Sequence, residues 1–443
     1  GGRVPDTSDY RFYIITHPEY NTVTVDSENY ATCYAVGIHC HCWDRISIRI
    51  QQILNEQEYT SVSRLSRMGN RDVCVITHPL SAAGENATRT LLDILAELGS
   101  VSLVTADLPV ESTIRDNREV VELTQKGAGD SVPVAAVRFI LNQLRMCAVL
   151  RQRSEDVVLF FGATAYLLPI LFARAVGKTV LVEPRGNVPL TLRLNWEQRM
   201  PGLFARMLAG AVWLLERVGF ATAHMVVTYT PNMARELGLN PESSDVYPHG
   251  ARYVDTEQFR PTTPFAERDS VVGFVGRLDE EKGIRELADA AKRLPERVTF
   301  RFVGDGPLAD WLKEELADEI HNGRVELTGW VEHDDIPVEL NRMKLLVMPS
   351  HPTEGLPTTI LEGMACGTPV YAMPVAGIPD VVRENETGFC MQQREGSSIM
   401  SDVTVILNEE SLSMISEHAR SLAVDQYSFD AAINRYKSLL TSV

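Results

Sequence analysis

Two glutamates, Glu354 and Glu362, stand with seven residues between them in the run SHPTEGLPTTILEGMACGTPV. Burying two unpaired acids in an apolar stretch is costly. A solvated helix has no use for the interruption Gly355-Leu356-Pro357. The pattern is that of a loop leading into a helix, with an acid at each end. Pro357 suits the first helical position, where its missing N–H is not needed, and Thr358 through Ala365 read as helix. Thr358 and Glu362, spaced i,i+4, share a face, while Ile360 and Met364 share an apolar one. Exposed N–H groups and the hydroxyls of Thr358 and Thr359 at the helix start can hold a phosphate. A carboxylate one turn in can accept hydrogen bonds from a sugar diol, and Glu354 can reach a second group of hydroxyls. The alternative is a capping arrangement with Glu362 solvated.

A second constellation is GFVGRLDEEKGI, residues 273–284. A strand ends at Gly276, Arg277 leaves it, and Lys282 precedes the start of a helix. Two cations at a strand-to-helix turn suit a diphosphate, Arg as a fork and Lys as a point charge. The alternative is that both pair with Asp279, Glu280 or Glu281. FVGDGP (302–307) places Gly304 in a turn after another strand; lacking a third glycine, it is no dinucleotide fingerprint.

The elements that position these residues alternate. Short Val- and Ile-rich runs at 72–77, 100–105, 156–161, 178–183 and 224–229 read as strands, and 87–99 reads as an amphipathic helix. After a polar, proline-bearing break near 250–268, a second series follows at 271–276, 298–304, 324–329, 344–350 and 368–373. Apolar strands alternating with helices imply a parallel sheet covered on both faces. The expectation is an α/β protein of two Rossmann-like domains facing each other across a cleft, the default place for a ligand. The expected segments are 68–250, 269–425 and a C-terminal helix at 426–443 that packs back on the first domain. The stretch 199–220, apolar on most of its circumference, reads as a core helix, with an interfacial surface as its alternative.

Composition narrows the class. The chain has 443 residues and a net charge of −17, which argues against broad nucleic-acid binding. The charge is uneven: residues 68–255 hold 19 acids and 18 Lys plus Arg, residues 256–443 hold 32 and 18. No apolar run approaches a membrane span and no secretory pattern opens the sequence, so a soluble cytoplasmic protein is expected. Seven cysteines without a paired framework favour free thiols. Residues 1–67 lack clear periodicity and read as a non-core or disordered extension. Cys33, His39, Cys40, His41 and Cys42 are adjacent enough to suggest zinc, but their spacing matches no common site, and no metal is expected.

Taken together, EGLPTTILEGMACGTPV, GRLDEEKG, VGDGP and the later GIPDVVRENETGF (377–389) resemble the family 4 retaining glycosyltransferases of the GT-B fold, over about residues 70–440. The resemblance implies an enzyme that moves a sugar from a nucleotide-diphosphate sugar to an acceptor hydroxyl of a glycan or lipid-linked glycan, with no essential metal or cofactor. It implies that Glu362 binds the donor ribose and Glu354 the transferred sugar. Arg277 and Lys282 would bind the diphosphate, and with Glu354 they form the catalytic set. Gly276, Gly304, Gly355, Leu356, Thr358 and Thr359 complete the donor site. On the acceptor side, Gly84 and Glu85 lie in a segment (79–90) that matches the family's glycine-rich loop with one glycine lost. Arg185, in VEPRGN, stands where many relatives have a histidine nearby, and His249 replaces the usual asparagine of the hinge. A lipid-linked acceptor would bring peripheral contact at the inner face of a membrane. Other GT-B activities, a sugar-phosphate synthase or an epimerase, and a non-catalytic nucleotide-sugar-binding subunit are the alternatives.

Overall fold

The computed structural model describes residues 71–443 apart from 81, 125–131, 198–199 and 352–354. The N-terminal extension with its Cys/His cluster, and Glu354, lie outside the described residues.

Two all-parallel sheets dominate. The first has seven strands: β1 (Val73–Ile76), β2 (Val101–Thr105), β3 (Glu119–Glu122), β4 (Val157–Phe161), β5 (Thr179–Glu183), β6 (Met225–Val227) and β7 (Val246–Tyr247). They lie in the order β3-β2-β1-β4-β5-β6-β7. The second has six: β8 (Val271–Val275), β9 (Thr299–Val303), β10 (Val325–Leu327), β11 (Leu345–Met348), β12 (Val370–Ala372) and β13 (Gly388–Cys390), ordered β10-β9-β8-β11-β12-β13. In both, strand order reverses beside the first strand, which opens a crevice at the carboxyl ends of the strands.

Alternation along β1 shows how the first sheet is buried on both faces. Val73 and Val75 enter one apolar cluster, Cys74 and Ile76 the other. The first cluster also holds Ala432, Tyr436, Leu439 and Leu440. The C-terminal helix Phe429–Ser442 therefore supplies core to the N-terminal sheet, although the helix before it, Leu412–Tyr427, belongs to the C-terminal core. The segment between the sheets is tightly held. Arg268, 4% exposed, donates to the carbonyls of Met343 and Cys366, and Asn341 Oδ1 accepts from the Thr262 N–H at 2.7 Å.

Several expectations need correction. The helix expected at 87–99 runs from Ala82 to Ala96. Gly84 is therefore in its first turn rather than in a glycine-rich loop. Pro357 is the capping residue, with ψ 131°, and the helix begins at Thr358. β3, β7 and β13 were not anticipated. The helix Gly202–Thr222 is not a core helix. Its inward residues are Ala205, Ala209, Glu216, Gly219 and Phe220, while Leu203, Met207 and Leu214 face outward. Among the described residues no helix is long and apolar enough to cross a membrane, and Cys74, Cys147, Cys366 and Cys390 are free thiols.

Candidate active site

The helix Thr358–Ala365 starts just past the carboxyl end of β11, with no side-chain cap on its first N–H groups. Thr358 and Thr359 are half-buried in its first turn, and Leu356 before them is 1% exposed. Glu362 lies one turn in and is 8% exposed. It is therefore not a solvated helix-face acid. Its Oε1 lies 3.1 Å from His333 Nε2. That hydrogen bond raises the His333 pKa above the ordinary value, burial opposing it. His333 opens a short turn after β10 and packs in a tilted contact, 5.3 Å between ring centroids, with Phe259 of the interdomain segment.

Beside this helix lies the loop after β8. Gly276 and Gly304 meet back to back: with φ +132° at Gly304, a Cβ there would overlap the carbonyl oxygen of Gly276. The two turns are then joined by Leu278 N–H to Asp305 O and Leu308 N–H to Leu278 O, each 2.9 Å. Asp279 organises the cations. Its Oδ1 caps the Lys282 N–H at 3.0 Å, and its Oδ2 forms an ion pair with Arg277, 2.5 Å from Nε. Arg277, with a second acid, Glu281, at 3.9 Å and most of its side chain exposed, is thus paired with its neighbours. For Arg277 this is the pairing weighed against diphosphate binding. Lys282 is half-buried at the end of the same turn. The His351 N–H donates to Glu281 O at 2.8 Å, which ties this loop to the one after β11.

The N-terminal domain faces these loops with its own strand ends. Arg185, after β5, lays its guanidinium 5.7 Å from the Phe161 ring centroid and packs its chain against Gly162. Burial lowers its pKa, with Arg252 adding to the effect. Arg252 in turn covers the Tyr229 ring at 4.4 Å. His78, at the end of β1, is held neutral, its pKa brought down to about 4 by burial and by Arg185. Glu85 accepts from Ser112 Oγ at 3.1 Å in the first turns of its helix, beside Gly84, whose carbonyl accepts from Thr88. His249 follows β7 and packs edge-on against Tyr247, 5.7 Å between centroids.

The domains touch where the opening motif meets Arg185. A Cβ on Gly355 would overlap the Arg185 carbonyl oxygen and crowd the Tyr229 ring. The Gly377 N–H donates to Gly355 O at 2.9 Å. The Asn232 N–H donates to Asp380 Oδ2 and its side-chain amide to Ala376 O, both at 2.7 Å. Gly355, Arg185 and Tyr229 thus meet at one contact between the domains, next to the start of helix Thr358–Ala365. His78, Arg252, Tyr229 and His333 were not singled out from sequence. His78 closes the ITHP run at the end of the first strand, a strand-end position that could have been flagged. The others follow no local motif.

Two parallel sheets joined at their carboxyl edges, with a helix N-terminus and cationic loops in the crevice, define the GT-B class, and this chain is a glycosyltransferase enzyme of that fold. Residues 269–409 match the family model of glycosyl transferases group 1. The chain is 26% identical over 286 residues to alpha-D-kanosaminyltransferase of Streptomyces kanamyceticus, covering 61% of this chain and 72% of that protein. It is 27% identical over 221 residues to UDP-Gal:alpha-D-GlcNAc-diphosphoundecaprenol alpha-1,3-galactosyltransferase of Escherichia coli, covering 46% of this chain and only 56% of that protein. Anabaena HepE in complex with UDP has the same fold, with a TM-score of 0.64 at 17% identity, over 84% of this chain and all of that one. Among the described residues, no group of His, Cys, Asp and Glu is arranged to hold a metal ion.

Proposed function

We propose that this glycosyltransferase uses a nucleotide-diphosphate sugar as donor, acts with retention at the anomeric carbon, and transfers to a hydroxyl of a glycan or lipid-linked glycan. The observation that carries the reading is Glu362: a nearly buried carboxylate one turn inside an uncapped helix start. Glu362 holds the ribose hydroxyls. The helix start, with Thr358 and Thr359, and Lys282 hold the diphosphate. Arg277 must exchange Asp279 for phosphate to join them. Glu354 takes the transferred sugar. The bond from the anomeric carbon to the diphosphate breaks, the acceptor oxygen bonds to that carbon, and the acceptor proton passes to a diphosphate oxygen. Cationic groups and N–H dipoles stabilise the departing charge without a metal. Arg185, Gly84, Glu85 and His249 line the acceptor side, and domain closure excludes water. A cytoplasmic location fits a nucleotide-sugar donor.

The test is a thermal-shift titration with UDP-, GDP- and ADP-sugars, since a ligand that binds only the folded state raises apparent stability. UDP-sugars come first, because HepE and the galactosyltransferase are named with UDP. One of them should stabilise the wild type, and Glu362→Ala should abolish the shift. Lys282→Ala should lower kcat roughly a hundredfold or more, the scale of a lost charge-stabilising donor. Normal donor binding and turnover in both variants would reject the assignment.

A further inference from the structure

Two helices of the N-terminal domain bury Met146, Leu150 and Phe220 in the core and also carry large apolar side chains on their outward faces. In Val132–Leu150 the side chains turned inward include Asn142 and Gln143, 4% and 5% exposed, while Val137, Ile140 and Leu144 are each more than half exposed. In Gly202–Thr222 the inward stripe is mostly small residues and the acid Glu216. The outward stripe includes Leu203 at 70%, Phe204 at 60% and Met207 at 64%. Two of the inward polar side chains are satisfied internally. Gln143 Oε1 accepts the Leu168 N–H at 3.0 Å, and Glu216 accepts the Thr164 hydroxyl. The helix Leu167–Ala175 packs against both of them and adds outward-facing Leu168 and Leu171. The apolar faces therefore join into one layer, larger than single scattered residues account for.

Charge says what covers it. The three helices of this layer carry five arginines, 138, 145, 174, 206 and 217, against one acid, Glu216; Arg206 lies 3.4 Å from Glu197 of the preceding helix. Glu216 is buried, so the layer is cationic in a chain whose net charge is −17. A water-facing docking site for a protein has no need of that segregation. An apolar face edged by arginine is the composition that lies in an anionic lipid interface. Place matters as well. The segment after β5 must return to the amino end of β6, and Glu216 meets Thr164 just past the carboxyl end of β4. The earlier turns, with Leu203, Phe204 and Met207, therefore lie on the cleft side of the domain.

We propose that this three-helix layer seats the protein on an anionic bilayer and brings the acceptor side of the cleft to the lipid surface, so that the acceptor is a lipid or lipid-linked hydroxyl. Only the statement about the acceptor rests on the function proposed above. Flotation with vesicles of phosphatidylcholine alone, or with phosphatidylglycerol added, tests it on the full chain. Binding should appear with the anionic vesicles at low salt and fall as salt rises. Phe204→Asp/Met207→Asp and Val137→Asp/Ile140→Asp should each weaken it about tenfold or more, the scale of losing buried apolar side chains at an interface. Their melting temperature and donor-induced thermal shift should not change. Those two readouts separate a failed surface from a failed donor site. Failure of the wild type to float with anionic vesicles would overturn the proposal. So would a concentration-dependent dimer, seen by sedimentation, that the same substitutions dissolve without any vesicle binding, since the face would then lie between copies of this chain.

Discussion

At the scale of single residues, the site turns on how Glu362 is held. Its Oε1 is engaged by His333, which leaves Oε2 for a ligand and fixes the rotamer of a carboxylate that is 8% exposed. A positioned acceptor loses less freedom on binding. His333→Ala should therefore weaken donor affinity several-fold, roughly the worth of one charge-assisted hydrogen bond, with kcat nearly unchanged. His333→Gln, which can still donate, should recover most of it. The pH dependence follows from the sign of the shift. The His333 pKa is raised by its bond to Glu362, so the ion pair is complete below the ordinary histidine value and is lost as pH rises through the raised one. The affinity gap between wild type and His333→Ala, measured by calorimetric titration, should be widest near pH 6 and shrink at high pH to the part that a neutral N–H donor supplies. Glu362 could be found from sequence because its neighbours within one turn define a helix start. His333, 29 positions earlier, reaches it only through the fold.

At the scale of elements, the loop Gly355–Pro357 joins the two domains. Gly355 lies against the Arg185 carbonyl because no side chain intervenes. Gly355→Ala would press a methyl group into that oxygen and the Tyr229 ring and force the domains apart by a fraction of an ångström. Strain of this kind costs about 1–3 kcal/mol. The variant should melt earlier and show a raised donor KM, and failure to see either would mean that the loop yields locally. The strands that were legible are those with unbroken apolar runs buried on both faces, such as β4 and β11. β3 reads EVVE and lies at a sheet edge, and β7 has two residues; neither has a run long enough to rise above its surroundings. The helix Gly202–Thr222 shows a deeper limit. Periodicity tells which residues share a face, but not whether that face meets the core or the outside, and here Ala205 and Ala209 rather than the leucines turn inward.

At the scale of the whole molecule, one buried carboxylate ties together parts far apart in sequence. Glu183, at the end of β5 and fully buried, accepts from the Ala251 N–H at 3.0 Å and from the Tyr436 hydroxyl. It thereby links the N-terminal sheet, the start of the interdomain segment and the C-terminal helix. Arg252 and Arg435 lie near enough to favour its charge, but burial outweighs them and raises its pKa from 4.5 to about 7. An acid with a raised pKa binds its proton more tightly in the folded chain than in the unfolded one. Its neutral form therefore favours folding, and stability falls as pH rises from about 4.5 to about 7, beyond which this group adds no further slope. Glu183→Gln keeps an acceptor for the Ala251 N–H, can turn its amide N–H to the Tyr436 oxygen, and cannot ionise. Urea denaturation from pH 5 to pH 8 should show a shallower decline in this variant than in the wild type, with the two closest near pH 5 and the variant relatively more stable at pH 8. Glu183→Ala strands the Ala251 N–H and the Tyr436 hydroxyl and should cost about 1–3 kcal/mol for each group left unsatisfied, at every pH. If Glu183→Gln declined as steeply as the wild type over that window, the slope would belong to other groups and Glu183 would be ionised within the fold.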